Sequence, residues 1–417
     1  MIPKLDYYKE KWGVRSDASI KPGLTAITEA LQLVGNPQEN LSAVHVAGTN
    51  GKGSTITFIE HISKAHGLST ATFMSPCIED VHDQIQLDEQ PISPEEMDAV
   101  FKIMADAGLD GKLTDFELLT VAAFLAFERF APDITIIECG MGGRFDSTNV
   151  VKPIVSVVPS IALEHTNFLG STIESIAMHK AGIIKEGKPV VTGVLPTEAM
   201  EIFTQEAEKL CSPLLVYNEN FTVIEENSKE IYMANDVRIP NLTRTMPGLH
   251  QRSNMALAIT AFNIFAQVNG VKTNVEAFRN GVQSARLACR FELLAPKLYI
   301  DGAHNPASAK SLVDAIQEQF PNEPIHFIVG MLGDKDIRGV LAELEKVGTT
   351  FTFVDVANDR AMAANEIMKM SNTVNKSTTY DILTTVQQKL LLNEVIIMTG
   401  SLYLLAKWRK ILHETFN

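Results

Sequence analysis

Short apolar runs alternate with amphipathic segments along the first part of the chain. The apolar runs are short enough to be strands, and the segments between them carry apolar side chains at helical spacing. Strands are predicted at residues 44–47, 69–74, 133–138, 153–158 and 189–194. Residues 1–40 are predicted to be mainly helical, with apolar side chains at helical spacing over residues 24–34, and further helices are predicted at residues 56–62, 95–107, 115–130 and 173–180. This alternation predicts a doubly wound, mainly parallel sheet covered by helices.

Two stretches interrupt that alternation. Residues 77–94 are polar, with a proline near the end, and are predicted to form a loop or hairpin. Residues 213–240 fall into shorter β-like pieces, including Leu214–Tyr217, and predict a small antiparallel appendage. A helix from Gln251 to about residue 268 follows them.

The alternation starts again after residue 290. Strands are predicted at residues 297–300, 325–329, 351–356 and 394–398, and helices at 306–319, 336–346, 362–370, 383–392 and 402–413. A second α/β domain accounts for this pattern, since 417 residues exceed one ordinary core. We therefore predict two domains, residues 1–288 and 289–417, joined by a short hinge near residues 287–296.

The first strand runs directly into a glycine-rich turn. The turn and the helix start read Gly48, Thr49, Asn50, Gly51, Lys52, Gly53, Ser54 and Thr55. A strand, glycine turn and helix start together aim backbone N–H groups at a phosphate chain, and a lysine reaches its terminal phosphates. The spacing departs from G-x-x-x-x-G-K-[ST], because Val46 replaces the first glycine and Gly53 separates Lys52 from Ser54. A glycine-rich turn without a ligand is the alternative, but lysine followed by two hydroxyl residues favours a phosphate site.

Composition narrows the possible partners. A formal charge of −14 argues against nucleic acid, although a local basic pocket still admits anionic small molecules. No apolar run is long enough for a membrane span, and the first residues lack the apolar core of a signal peptide. The four cysteines, far apart and without a C-x-x-C motif, fit a reducing cytoplasm.

Three polar residues follow the strands of the first domain. Glu138 ends a buried strand at the sheet edge where ligands bind, and it is either a Mg²⁺ ligand or a solvated carboxylate. His165 follows another strand, but a lone histidine is more often structural than a metal ligand. Lys180 lies in a helix with an apolar face, where it could point outward or react with CO₂ to give a carbamate. The residues alone leave His165 and Lys180 undecided.

A strand-to-helix turn in the second domain carries Asp301 and His304. Asn305 and Pro306 after them form an ordinary helix start, which requires no ligand. Both side chains would still project from the carboxyl edge of the second sheet. Together with Arg290 they could meet a ligand that the first domain holds across a cleft.

Several motifs in order make the chain resemble the folylpolyglutamate synthase/dihydrofolate synthase family of the Mur ligase superfamily. The similarity runs nearly end to end. It rests on residues 35–37, 45–55, 75–76, 142–149, 164–165, 180–185, 247–251, 301–306, 334–336 and 399–403. It implies a Mur-ligase-like α/β fold, with an N-terminal P-loop ATPase domain and a C-terminal Rossmann-like domain.

The resemblance also implies the reaction. An ATP-dependent amide ligase of this family phosphorylates a folate carboxylate, and the amine of L-glutamate then attacks the acyl phosphate. Positioning and charge neutralisation perform the first step, and proximity performs the second. Reduced folate or dihydropteroate, L-glutamate and ATP would be the partners, and family members are commonly monomers.

The resemblance assigns residues to roles. Residues 48–55 would cradle the phosphates of ATP, and the catalytic set would be Lys52, Lys180, Asp301 and His304. Two Mg²⁺ ions would be held by Ser54, Ser75, Glu138 and His165. Lys180 matches the carbamylated lysine of the family. ATP would also be bound by Asn254, Arg290 and Asp301, and His304 would lie at the interdomain site.

The chain departs from the family after Ser75. Cys77 and the sequence His82-Asp83-Gln84-Ile85 replace the usual residues, so that the loop loses an arginine, an asparagine and a full-length glutamate. Glu164 replaces an aspartate, and Cys289 replaces a glycine. We therefore keep three alternatives: a dihydrofolate synthase, alone or bifunctional; a Mur-type ligase with another carboxylate substrate; and a nucleotide-binding switch protein. The retained Lys180, Asp301 and His304 argue against the switch.

Overall fold

The computed structural model describes residues 2–19, 21–235 and 237–416. The first of two compact units reaches Thr245 and resumes from Arg252 to Ala285. The second comprises Met246–Gln251 and the chain from Arg286 onward. Our boundary between residues 288 and 289 stays a prediction. The sequence analysis did not anticipate that the short segment 246–251 belongs to the second unit.

Ten helices of the described chain begin or lie in the first unit. They are α1 (Leu5–Trp12), α2 (Thr25–Leu33), α3 (Lys52–Ala65), α4 (Pro94–Asp106), α5 (Asp115–Phe130), α6 (Thr166–Leu169), α7 (Ile173–Ala181), α8 (Thr197–Lys209), α9 (Leu249–Asn269, whose first residues belong to segment 246–251) and α10 (Val275–Ser284). Helices α4 and α5 begin at Ser93 and Thr114, whose side-chain oxygens accept from the backbone N–H three residues on.

The strands of the first unit form one large sheet and two small ones. They are β1 (Ser16–Asp17), β2 (Ala43–Val46), β3 (Thr70–Phe73), β4 (Ile85–Leu87), β5 (Gln90–Pro91), β6 (Leu113–Thr114), β7 (Ile134–Glu138), β8 (Val155–Val158), β9 (Val190–Thr192), β10 (Leu214–Val216), β11 (Thr222–Glu226), β12 (Lys229–Ala234) and β13 (Val237–Leu242). The large sheet has the order β10-β9-β8-β2-β7-β3-β4-β5, with β4 and β5 antiparallel and the rest parallel. The mainly parallel sheet and the 77–94 hairpin are confirmed.

The pairing of β2 with its two neighbours determines which residues lie beside the glycine-rich turn. Strand β2 lies between β7 and β8, and Val46 is level with Glu138 on one side and Val157 on the other. All four residues of β2 are buried. The phosphate loop therefore leaves the sheet beside the carboxylate that ends β7.

One expectation for this unit is wrong. Leu214–Tyr217 was assigned to the antiparallel appendage, but β10 pairs in parallel with β9 at the edge of the large sheet. Helix α8, which the sequence analysis did not predict, supplies the crossover that a parallel pair requires. The antiparallel appendage itself is confirmed for β11, β12 and β13.

The second unit is a six-stranded sheet with helices. Its strands are β14 (Glu292–Ala295), β15 (Leu298–Asp301), β16 (Ile325–Val329), β17 (Gly348–Phe353), β18 (Lys376–Thr378) and β19 (Val395–Thr399). Its helices are α11 (Pro306–Gln319), α12 (Ile337–Leu344), α13 (Ala364–Met370), α14 (Ile382–Leu391) and α15 (Leu402–Phe416). The order is β14-β15-β19-β16-β17-β18, parallel except for β14. The second α/β domain is confirmed, although β14 and β18 were not predicted.

Across the described residues, no helix combines the length and the apolar character needed to cross a membrane.

Candidate active site

The phosphate loop joins β2 to α3, and two of its glycines have left-handed backbones. Gly48 has φ +151° and Gly51 has φ +86°. A Cβ on Gly51 would lie 2.5 Å from Asn254 Oδ1 and 3.0 Å from Pro159 Cβ. Backbone conformation and close packing therefore both require glycine at position 51. Because Gly51 has no side chain, it cannot cap the first turn of α3 in the way that serine or asparagine would.

The segment after β8 hydrogen-bonds to this loop. The Asn50 N–H donates to Ser160 Oγ at 3.0 Å, and the Ser160 hydroxyl donates to the Asn50 carbonyl at 3.0 Å. Thr49 Oγ1 donates to the Ala162 carbonyl at 3.1 Å and accepts from the Ala162 N–H at 3.0 Å. Sequence reasoning missed Ser160, although its place just after a strand of the same sheet was a usable signal.

Lys52 folds back onto its own loop. Its Nζ donates to the carbonyls of Gly48 at 3.1 Å and Thr49 at 3.2 Å. The same Nζ lies 3.7 Å from Glu138 Oε1. A positive charge thus lies between the phosphate loop and the carboxylate at the end of β7.

Glu138 joins a third element to this edge. Its side chain is buried, and its Oε2 accepts from the Ser75 N–H at 3.0 Å. Ser75 follows β3, so three neighbouring parallel strands place Lys52, Glu138 and Ser75 at one edge of the sheet. This is the edge where open α/β sheets bind ligands.

Lys180 reaches the same loop from α7. It is buried, and its Nζ donates to the Gly48 carbonyl at 2.8 Å. Burial lowers the pKa of Lys180 to about 7, and the charge of Lys52 acts in the same direction. A substantial fraction of Lys180 is therefore neutral near pH 7, which is the nucleophilic form of an amine.

The remaining predicted metal ligands differ in their surroundings. Ser54 and Thr55 are buried in the first turns of α3, and Thr55 Oγ1 has no hydrogen-bond partner among the described residues. His165 is exposed, with a left-handed φ of +53°, just before α6. Within the described parts of the chain, no group of three or more His, Cys, Asp or Glu side chains could hold a metal ion.

Asp146 organises the loop that follows Glu138. Its Oδ2 accepts from the Met141 N–H at 2.8 Å, and its Oδ1 accepts from the Thr148 N–H at 3.0 Å and hydroxyl at 2.6 Å. Thr148 Oγ1 in turn lies 2.9 Å from Nε2 of His45, which is buried in β2. Sequence reasoning recognised this motif only by resemblance and missed that it is tied to the strand beneath the phosphate loop.

The loop after Ser75 is attached to the N-terminal helix. The Tyr8 hydroxyl lies 2.8 Å from His82 Nε2, and His82 Nδ1 lies 2.6 Å from Asp80 Oδ1. Lys4 Nζ lies 2.5 Å from the other oxygen of Asp80. His82 is therefore part of a complete hydrogen-bond chain in the loop where the sequence departs from the family.

The second unit brings its own predicted residues together. Asp301 Oδ2 accepts from the Phe291 N–H at 2.9 Å, and its Oδ1 accepts from the Ala303 N–H at 2.8 Å. Burial raises the pKa of Asp301, while the positive charge of Arg290 opposes that rise. His304 Nδ1 lies 2.8 Å from the Gly302 carbonyl. Arg290, Asp301 and His304 thus lie close together at the end of β15.

The predicted site residues therefore form a group in each unit. In the first unit, the phosphate loop lies with Ser75, Glu138, Lys180 and Asn254. In the second, the group is Arg290, Asp301 and His304.

Comparisons with known proteins identify the family. Residues 46–262 match the Mur ligase middle domain family, and residues 289–402 match the Mur ligase, glutamate ligase domain family. The chain is 36% identical over 408 residues to a dihydrofolate synthase/folylpolyglutamate synthase of Bacillus subtilis, covering 94% of this chain and 95% of the relative. It is 33% identical over 405 residues to a folylpolyglutamate synthase of Lacticaseibacillus casei, covering 93% of each.

A solved structure agrees over the whole length. Escherichia coli FolC, in complex with DHPP and ADP, superposes with a TM-score of 0.89 at 26% identity, covering 99% of this chain and 98% of that one. The domain matches and the end-to-end identities leave one assignment. The chain belongs to the folylpolyglutamate synthase/dihydrofolate synthase family of the Mur ligase superfamily, and it is an ATP-dependent ligase.

Proposed function

We propose that the protein adds L-glutamate to the γ-carboxylate of a reduced folate, using ATP to form an acyl phosphate. The observation that carries this proposal is the group at the carboxyl edge of the first sheet, where a glycine turn, two lysines and a carboxylate meet. The folylpolyglutamate synthases among the relatives support the choice of substrates.

The phosphate loop would bind the triphosphate of ATP. The Gly51 backbone and the first turn of α3 present N–H groups, and the helix dipole favours an anion there. Lys52 would leave its two carbonyl partners and neutralise negative charge on the terminal phosphate as transfer proceeds. Asn254, packed against Gly51, would contact the nucleotide.

Magnesium fits this edge. Glu138 offers a carboxylate, which lies 3.7 Å from Lys52 Nζ. Thr55 Oγ1 is a buried hydroxyl without a hydrogen-bond partner among the described residues. Mg²⁺ usually takes only one or two protein oxygen ligands and keeps water and phosphate oxygens in its remaining positions, so the few oxygen donors at this edge suit it. Ser54, Ser75, Glu138 and His165 would hold two Mg²⁺ ions. When bound, magnesium would shield the charge that develops on the transferred phosphoryl group.

Lys180 would carry a carbamate. A buried amine with a pKa of about 7 is neutral often enough to attack CO₂, and a new anionic group beside the phosphate loop would help to order the metal site. Arg290 and Asp301 of the second unit would bind ATP, and His304 would act in the glutamate step.

A second activity on the same machinery is also proposed. The Bacillus subtilis relative is named for both dihydrofolate synthase and folylpolyglutamate synthase, and E. coli FolC was solved with DHPP. Dihydropteroate would then receive its first glutamate by the same chemistry. The hydrogen bonds from Tyr8 to His82 and from His82 to Asp80 would hold the substrate loop in one position.

We also propose a monomer in the cytoplasm. All four cysteines, Cys77, Cys139, Cys211 and Cys289, are free thiols, which fits a reducing compartment.

The test is incorporation of labelled L-glutamate with MgATP, offering tetrahydrofolate, a methylene-tetrahydrofolate and dihydropteroate separately. We expect incorporation with the reduced folates. Incorporation with dihydropteroate as well would make the enzyme bifunctional. ATP binding without incorporation on any of the three would overturn the folate assignment and favour another carboxylate substrate.

A further inference from the structure

Glu230 is a buried carboxylate on β12 of the small antiparallel sheet, and two arginines share it. Arg244 donates to Oε2 through Nε at 2.8 Å and to Oε1 through Nη2 at 2.7 Å. Arg252 Nε donates to Oε1 at 2.8 Å. Burial acts to raise the pKa of Glu230, but the two guanidinium groups outweigh it and lower the pKa below its usual value. Glu230 is therefore an ionised group with strong, geometrically defined partners.

The two arginines flank the short segment 246–251. Residues 246–251 group with the second compact unit, whereas Arg244 before them and Arg252 after them belong to the first. The residues on both sides of this segment are thus paired with one carboxylate, that of Glu230. Thr245 Oγ1 also donates to the Ala285 carbonyl at 2.5 Å, beside the point where the chain leaves the first unit again.

Arg252 lies near the start of α9, two residues before Asn254. The Asn254 amide oxygen packs against Gly51, so closely that a Cβ on Gly51 would lie 2.5 Å from it. A small shift or rotation of the first turns of α9 would move Asn254 away from the phosphate loop. The ion pair of Arg252 with Glu230 opposes such a shift, because it fixes this part of α9 to β12, and Arg252 Nη2 also donates to the more exposed Glu225 of β11 at 2.7 Å.

We propose that Glu230, acting through Arg252, is a positioning residue for nucleotide binding, which it serves by holding Asn254 against the phosphate loop. This inference rests on the proposed function, because Asn254 is assigned to ATP there. Neither Glu230 nor Arg252 needs to touch the nucleotide. The small antiparallel sheet, which carries Glu230, thereby gains a role in the ATP site.

The test is the affinity for ADP, measured by titration calorimetry on the full chain without any folate. Arg252→Met breaks the link to α9, leaves Glu230 paired with Arg244, and substitutes a good helix former. We expect ADP binding to weaken by about tenfold, with a matching rise in the KM for ATP and a smaller change in kcat. Arg252→Lys, which keeps the charge but not the planar fork, should recover part of the affinity.

A double-mutant cycle separates positioning from a general loss of structure. If Glu230 and Arg252 act through Asn254, then Arg252→Met should weaken ADP binding no further once Asn254→Ala is present. Glu230→Gln leaves Arg252 its pair with Glu225, so it should weaken ADP binding less than Arg252→Met and should likewise add nothing to Asn254→Ala, with circular dichroism and a melting curve as the check of folding. If it does not fold, the cycle with Arg252→Met still decides the question.

Arg238→Met is the matched control, because it removes an exposed pair with Glu226 on the same small sheet. Its ADP affinity should equal that of the wild type. Unchanged ADP binding in Arg252→Met, or losses that multiply in the double mutant, would overturn the inference. Wild-type protein that binds no ADP would instead overturn the proposed nucleotide site itself.

Discussion

The two units place the same structural device, a strand-to-helix turn, at the carboxyl edge of their sheets, but they complete it differently. Between β2 and α3 the turn ends on Gly51, which has no side chain, and two lysines lie against it. Between β15 and α11 the turn ends on Asn305, whose side chain accepts from the Ser308 N–H at 2.9 Å. No side chain caps the first turn, whereas the asparagine of the second turn caps its own helix.

Charge follows the same division. The first turn has Lys52 beside it, and the second is built on Asp301, which accepts from two backbone N–H groups and lies close to Arg290. Lys52 and the uncapped helix start favour an anion such as phosphate at the first turn, whereas side chains already accept from N–H groups of the second turn. A glycine at the helix start with a lysine beside it therefore indicates a phosphate site more reliably than a strand-to-helix turn alone.

The largest expected effect is at Lys180. Lys180→Ala should lower the rate of glutamate ligation by about a thousandfold, the size of effect that one well-placed charged group has on a phosphoryl transfer. Added bicarbonate should fail to restore it, because the amine that would form the carbamate is gone. Glutamate incorporation under saturating MgATP measures this, with Lys188→Ala, an exposed lysine, as the control. Substantial residual activity in Lys180→Ala would contradict the carbamate role.

The same lysine predicts a pH dependence of stability. Its pKa is lowered from 10.5 to about 7, so the unfolded chain binds more protons than the folded one between these values. Relative to Lys180→Met, the wild type should therefore gain stability as the pH rises from about 7 towards 10.5, by up to about 5 kcal/mol. Urea unfolding of both proteins in CO₂-free buffers tests the difference. A gap between them that is constant with pH would contradict a buried, neutral lysine.

The third prediction concerns the glycine that leaves the first turn uncapped. Gly51→Ala strains a left-handed backbone and brings a Cβ to 2.5 Å from Asn254 Oδ1. We expect ADP affinity to fall by about a hundredfold, since both the loop and its neighbour must move. Gly67→Ala is the matched control: its φ is +81°, but nothing lies within 4 Å of the new Cβ. Equal ADP affinities for the two variants would show that the contact with Asn254 is unimportant.

Local patterns predicted much of what these experiments probe. Strand β7 ending on Glu138 and the turn from Gly48 to Thr55 follow from hydrophobic spacing and glycine placement, and the Asn305–Pro306 helix start follows from capping preferences. Ser160 and Glu230 could not be found in this way, because their partners are far away in the sequence. The parallel pairing of β10 with β9 was not predicted, because helix α8, which connects these two strands, was not predicted. Burial of Lys180 likewise depends on tertiary packing that no local pattern encodes.

The smallest expected effect is on the turn that caps itself. Asn305→Ala removes the side-chain acceptor from the first turn of α11 and should cost about 1 kcal/mol of stability. Trp408 in α15 reports on the second unit once Trp12, the other tryptophan, is replaced by phenylalanine. Urea unfolding followed by Trp408 emission measures the change, and Asn305→Gly should cost only a few tenths of a kcal/mol. Equal losses for alanine and glycine would mean that Asn305 does not act as a cap, and the contrast with Gly51 would fail.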